Sequence, residues 1–154
     1  MSAWALRFEP RASETGVLRG AVLLALGEER AIYWAVIELD DGVIVVRDDD
    51  VPLPRGALLE VRADSLWAEL VCEVAGEHWS FGLEAFGLRL DDLDEARHAE
   101  VGERLAVGLD LEWDEGHVVG EVLLGSGRIA VDGTGTFTEL AGPPPSWDEW
   151  LSGA

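Results

Sequence analysis

Leu105-Ala106-Val107-Gly108-Leu109-Asp110-Leu111-Glu112-Trp113-Asp114 is the stretch that decides the fold class. Leu105, Val107, Leu109, Leu111 and Trp113 share one parity, and Ala106, Gly108, Asp110, Glu112 and Asp114 share the other. Successive side chains of a strand point to opposite faces, so this period of two predicts a strand with one greasy and one wet face. Leu66, Ala68, Leu70, Cys72 and Val74 oppose Trp67, Glu69, Val71 and Glu73 in the same manner.

Working outward, turn residues separate further runs of strand length. Ile32 to Leu39 is followed by Asp40-Asp41-Gly42 and then Val43 to Val46. An Asp-Gly pair between two such runs is a strong hairpin signal, because both residues tolerate positive φ. Leu66 to Val74, Ala75-Gly76 and Glu77 to Leu90 read as a second hairpin. Leu105 to Trp113, Asp114-Glu115-Gly116 and His117 to Leu124 read as a third. Gly125-Ser126-Gly127 and Asp132-Gly133 suggest two more turns. The expectation is an all-β antiparallel meander of about 8–10 strands. Edges must be protected, so the first choice is a lipocalin-like β-barrel over residues 1–142, and the second is a two-sheet sandwich.

Two segments depart from this pattern. Asp91 to Arg104 carries Asp92 and Glu95 at capping-box spacing and reads as one short helix or a surface loop. Residues 143–154 form a tail: Pro143-Pro144-Pro145 stiffen a spacer, and Ser146 and Glu149 again have capping-box spacing. One helical turn there would present Trp147, Trp150 and Leu151, which are expected to dock on the barrel mouth or on a neighbouring subunit.

The 154 residues carry 31 Asp plus Glu against 11 Arg, no Lys, and a net charge of −20. Such a charge argues against nucleic acid and against an anionic membrane surface as partners. The single Cys72 leaves no internal disulfide framework. No apolar run reaches the roughly 20 residues of a membrane span, and Met1-Ser2-Ala3-Trp4 lacks the pattern of a signal peptide. A cytoplasmic protein is expected.

Three scattered His and one Cys do not make a zinc site. Asp48-Asp49-Asp50 lacks the glycine and terminal Glu of a calcium loop and reads as a solvated charged turn. No P-loop, dinucleotide fingerprint or Gly-x-Ser-x-Gly is present. Neither a metal nor a cofactor is expected. Among ionisable residues, His78 and Glu84 are the candidates for proton transfer, since a carboxyl pushed up by burial can donate a proton. The competing reading makes His78 a hydrogen-bonded edge residue and Glu84 a solvated one. Trp34, Trp67, Trp79, Phe81, Phe86 and Trp113 are the candidates to line an apolar cavity, against the plainer reading of an aromatic core.

Glu60 to Leu70, Glu77 to Gly87, Leu109-Asp110-Leu111-Glu112-Trp113 and Gly116-His117-Val118-Val119-Gly120-Glu121-Val122 carry a likeness to a known family. Residues 31–135 resemble a bacterial group of the AttH-like and hydroxyneurosporene synthase-like (carotenoid hydratase) superfamily. The resemblance implies lipocalin-like barrel halves, and relatives that include isoprenoid hydratases and cofactor-free cyclases of natural-product pathways. Longer members follow the Asp-Gly-x-Gly segment with Arg-Asp-His-Ser-Trp-Gly. Here Asp132-Gly133-Thr134-Gly135 runs into Thr136-Phe137-Thr138-Glu139-Leu140, without the Asp-His pair. One barrel fits this length, and a homodimer could supply the second. The expected function is binding of an apolar polyene, sterol, terpenoid or polyketide-like molecule in the lumen. The alternative is a cofactor-independent cyclase, isomerase or hydratase acting on such a molecule. A third reading, a protein-interaction domain, would use the acidic surface and the Trp147–Trp150 tail.

Overall fold

A computed structural model describes residues 2–11, 16–98 and 101–153. It contains β1 (Ser2–Pro10), β2 (Val17–Leu26), β3 (Arg30–Leu39), β4 (Gly42–Pro52), β5 (Leu59–Ala63), β6 (Leu66–Val74), β7 (His78–Leu90), β8 (Glu103–Asp114), β9 (His117–Leu124) and β10 (Gly127–Ala141). Helix α1 (Leu93–His98) follows β7, and α2 (Trp147–Leu151) closes the described chain. All pairings are antiparallel, in the order β4-β3-β2-β1-β10-β9-β8-β7-β6-β5. A further pairing of Val43, Ile44 and Val45 with Leu90, Arg89 and Leu88 joins β4 to β7. Strands β1–β4 and β7–β10 thereby close an eight-stranded barrel. Strand β7 is forked: β6 pairs with its start and β4 with its end. The β5–β6 hairpin extends the wall beyond the closed ring.

The period-two reading of β8 matches its burial: Val107, Leu109 and Leu111 are buried, and Asp110 and Glu112 are exposed. Leu66, Ala68 and Leu70 of β6 also face inward, but Cys72 and Val74 are exposed where the strand runs out. The hairpin turn at Glu115-Gly116 places both residues at positive φ (48° and 93°), as a tight right-twisted turn requires. Inside the barrel, Leu6, Phe8, Tyr33, Ile37, Leu83 and Leu111 are among 25 buried residues that form one apolar cluster. Phe8 fits because Gly20 on the neighbouring strand offers its ring a bare backbone, and a Cβ there would collide with it.

A second buried cluster lies outside the barrel. Ala21, Leu23, Ala25, Trp34, Val36, Val43 and Val45 turn outward and are covered by Ala96 of α1 and by Trp147, Trp150 and Leu151 of α2. Helix α2 starts where Ser146 caps it, accepting from the Glu149 N–H at 3.2 Å. In α1, Asp92 accepts from the Glu95 N–H at 2.8 Å and the Glu95 carboxylate accepts from the Asp91 N–H at 2.9 Å. The helical reading of this segment therefore holds over 93–98, while residues 99–100 lie outside the described chain. The Trp147 indole N–H donates to the Ala96 carbonyl at 3.0 Å, tying the helices together. Arg7 donates to the Trp150 carbonyl at 2.6 Å, a cation placed at the carbonyl end of α2. The tail thus docks on the side wall rather than on the mouth.

Two expected turns are strand. Asp48-Asp49-Asp50 lies inside β4, where Asp49 accepts from the Trp34 indole at 2.7 Å and Asp50 pairs with Arg30, both across the β3–β4 ladder. Asp132-Gly133 lies inside β10, held extended by partners on both sides, Val119 and Val118 on β9 and Pro10 on β1.

Candidate functional site

The six aromatic candidates divide among three places. Trp79, Phe81 and Trp113 point into the barrel, because the odd-numbered residues take the inner face at the start of β7 and along β8. There they gather around Phe137, with ring centroids at 4.7 Å for Trp79, 5.6 Å for Phe81 and 5.5 Å for Trp113. The Trp113 indole donates to the Gly135 carbonyl at 2.9 Å, which sets that ring against β10. Trp113 and Phe137 are only half-buried, as is Trp4 on the inner face of β1. These rings stand toward the end of the barrel where β1 begins and β8 ends.

Trp34 faces the other way. It packs outside the barrel against Trp147 (5.1 Å) and Trp150 (5.5 Å). Trp67 and Phe86 are also outside, on β6 and β7, and Phe86 is 53% exposed. The expectation that these three line the lumen is corrected by strand parity: each neighbours a residue that takes the inner face.

Glu84 and His78 share the outer face of β7 as well. Glu84 is exposed to solvent. His78 is half-buried, and its Nε2 lies 3.0 Å from Glu112 Oε1 on β8, so its carboxylate partner comes from the next strand rather than from Glu77. His117 forms a similar exposed pair with Asp132 at 2.8 Å. This hydrogen bond from His117 holds the Asp132 carboxyl below its ordinary range, against slight desolvation. Neither pair reaches the interior. The phenol of Tyr33 is fully buried in the interior, and burial drives its pKa far above the ordinary value, so it stays neutral.

Phe137, Trp4, Phe8 and Tyr33 are the interior aromatics among the described residues that sequence reasoning left unassigned. The signal for Phe137 was legible: Thr134, Thr136 and Thr138 alternate outward, which puts Gly135 and Phe137 inside. Two concavities lie on the outer surface. One, of about 790 Å3, runs beside α2 and includes Arg7 and Arg19. Burial lowers the Arg7 pKa somewhat, opposed by the charge of Glu38. The other, of about 1080 Å3, spans β6 to β9 and includes Trp67, Glu84 and Phe86. Among the described residues, no group of three His, Cys, Asp or Glu has the arrangement of a metal site, and no helix is long and apolar enough to cross a membrane.

No protein-family model, curated protein or solved structure matches the chain.

Proposed function

We propose that this protein is a cytoplasmic binding protein for an apolar small molecule, taken at the aromatic end of the barrel. The observation that carries the reading is the cluster of Trp79, Phe81 and Trp113 around Phe137, whose half-buried members leave ring surface for a guest. A cluster of buried apolar side chains continues below the rings, and the guest is placed against the rings at this end of the lumen. Covering about 400 Å2 of apolar surface, counted on both partners, would gain roughly 10 kcal/mol. Association costs about 4 kcal/mol or more. The remainder, about 6 kcal/mol at most, corresponds to a Kd of tens of micromolar or weaker. The chemical class expected is the polyene, sterol, terpenoid or polyketide type, which the family resemblance also favours.

Binding suits this interior better than proton transfer. Tyr33 is held neutral, and Glu84 and His78 are on the outer face of β7. The cyclase, isomerase or hydratase alternative rests on the resemblance, and Tyr33 is the protic group it would have to use. The homodimer belongs to the same resemblance, and light scattering would measure it.

Titration with a polyene, a sterol and an aromatic polyketide, followed by tryptophan fluorescence, tests the proposal. Saturable quenching in wild type that is weakened at least tenfold in Trp113→Leu is expected. A flat titration for all three, or equal quenching in the variant, would overturn it.

A further inference from the structure

Among the described residues no helix packs over the groove on the outer wall of β5–β9, and its side chains follow an unusual register. Glu60, Glu69, Gly82, Asp110 and Glu121 are aligned partner to partner across five strands, all on the outer face. Glu60 directly faces Glu69, and Asp110 directly faces Glu121. Like charges in directly opposite positions destabilise a sheet, so this row is arranged against the stability of the isolated chain. The outermost carboxylates have their own cations: Glu60 has Arg62 at 3.1 Å, and Glu121 has Arg128 at 3.6 Å. Among the described residues, the inner carboxylates Glu69 and Asp110, and Glu84 beside them, have no cationic side chain within 4 Å.

At the centre of the row, Gly82 lets the Trp67 ring lie flat on the sheet, since a Cβ there would sit 3.1 Å from it. Gly108 does the same for Leu123, at 3.0 Å. The result is an open groove of about 1080 Å3 with an apolar floor and unpaired negative charge on both sides of Gly82. Two strand spacings separate Glu69 from Asp110, about 10 Å, which suits charges spread along an organic chain. At one end of the groove the protein displays the matching interaction: the Arg104 guanidinium stacks on Phe86 at 4.5 Å. Trp67 offers a second, unoccupied face of that kind.

We infer that this wall is a docking groove for an extended, arginine-containing peptide segment of a partner protein, with guanidinium groups over Trp67 and between Glu69, Glu84 and Asp110. A second copy of this chain, at −20, is a poor occupant by charge. The site is separate from the aromatic end of the barrel and does not depend on what binds there.

Fluorescence anisotropy with a labelled Gly-Arg-Gly-Arg-Gly-Arg peptide in dilute salt tests this. The combined variant Glu69→Gln, Glu84→Gln, Asp110→Asn is compared with a control of equal charge change, Glu28→Gln, Glu29→Gln, Asp94→Asn. The groove variant is expected to weaken binding at least tenfold, the equivalent of about 1.4 kcal/mol. The control is expected to weaken it less than twofold, and Trp67→Leu severalfold. Relief of the carboxylate row should leave the groove variant melting no lower than wild type, which separates lost binding from lost folding. Equal weakening by both charge variants would overturn the inference, because the peptide would then be reading bulk charge. Absence of binding in dilute salt would also overturn it, as would equally tight binding of spermine, a polycation without guanidinium or backbone.

Discussion

The two halves of the barrel wall are built from the same antiparallel ladder and treat their outer faces in opposite ways. On β2–β4 the outer face carries an apolar patch of Ala21, Leu23, Ala25, Trp34, Val36, Val43 and Val45, and α1 and α2 cover it with Trp147, Trp150 and Leu151. On β6–β9 the outer face carries Trp67, Glu69, Glu84, Asp110 and Glu121 and is left open. The difference separates stability from recognition. A wall buried on both sides contributes burial energy twice, whereas a wall open on one side keeps its outer residues free to be chosen for a partner. Cation–aromatic contacts occur on both walls: Arg47 stacks on Trp147 at 4.6 Å on the covered one and Arg104 on Phe86 at 4.5 Å on the open one, where Trp67 has no such partner among the described residues.

The sharpest way to break the comparison is to truncate one tryptophan on each wall. Trp147→Ala removes a buried ring from between Trp34, Trp150 and Arg47 and is expected to cost about 3–5 kcal/mol in denaturant titration. Trp67→Ala should cost no more than about 1 kcal/mol, because the ring lies half in water. Equal losses would erase the distinction between the walls. Next in size is Gly20→Ala, whose added methyl meets the Phe8 ring inside the barrel. Overpacking of that kind is expected to lower stability by about 1–3 kcal/mol.

A smaller effect sits at the margin of the covered wall. Burial would raise the Asp49 pKa, but the Arg47 and Trp34 donors outweigh it and hold the group below its ordinary value. A carboxyl lowered by folding contributes stability above its unfolded pKa, near 4, and that contribution disappears as pH falls through the folded value. Asp49→Asn should therefore flatten the acid limb of the stability profile by less than about 1 kcal/mol, since the carboxylate is half in solvent. The smallest change belongs to the open wall and has the opposite sign. Glu69→Gln removes one member of a facing like-charge pair and is expected to stabilise by about 0.2–1 kcal/mol, read as a small rise in Tm.

The alternation of Leu105–Trp113, the turns at Asp41-Gly42 and Glu115-Gly116 and the capping spacing at Ser146 were all legible because each depends on neighbours in sequence. The open wall was legible for the same reason, since one wet face produces period two. The covered wall was not read as such, although Val22-Leu23-Leu24-Ala25-Leu26 and Ile32 to Ile37 are unbroken apolar runs, the mark of strands buried on both faces. Asp48–Asp50 misled because acidic runs favour turns locally, while their partners Arg30 and Trp34 become visible only in the β3–β4 register. Glycines and aromatics occupy both parities from Glu77 to Leu90, so the run by itself does not mark the inner face of β7. The closing of the ladder settled it by placing Trp79 opposite Trp113. His78 and Glu112 are 34 residues apart, and a pair of that separation has no local signature.

The forked strand β7 has a kinetic consequence. Its junction with β4 is three residue pairs long and joins Val43–Val45 to Leu88–Leu90, more than 40 residues away. A short seam of high contact order is among the last parts of a barrel to zip and the first to breathe. Amide hydrogens at this seam should therefore exchange with deuterium ahead of those in the long β7–β8 ladder, marking the place where the ring opens without the molecule unfolding.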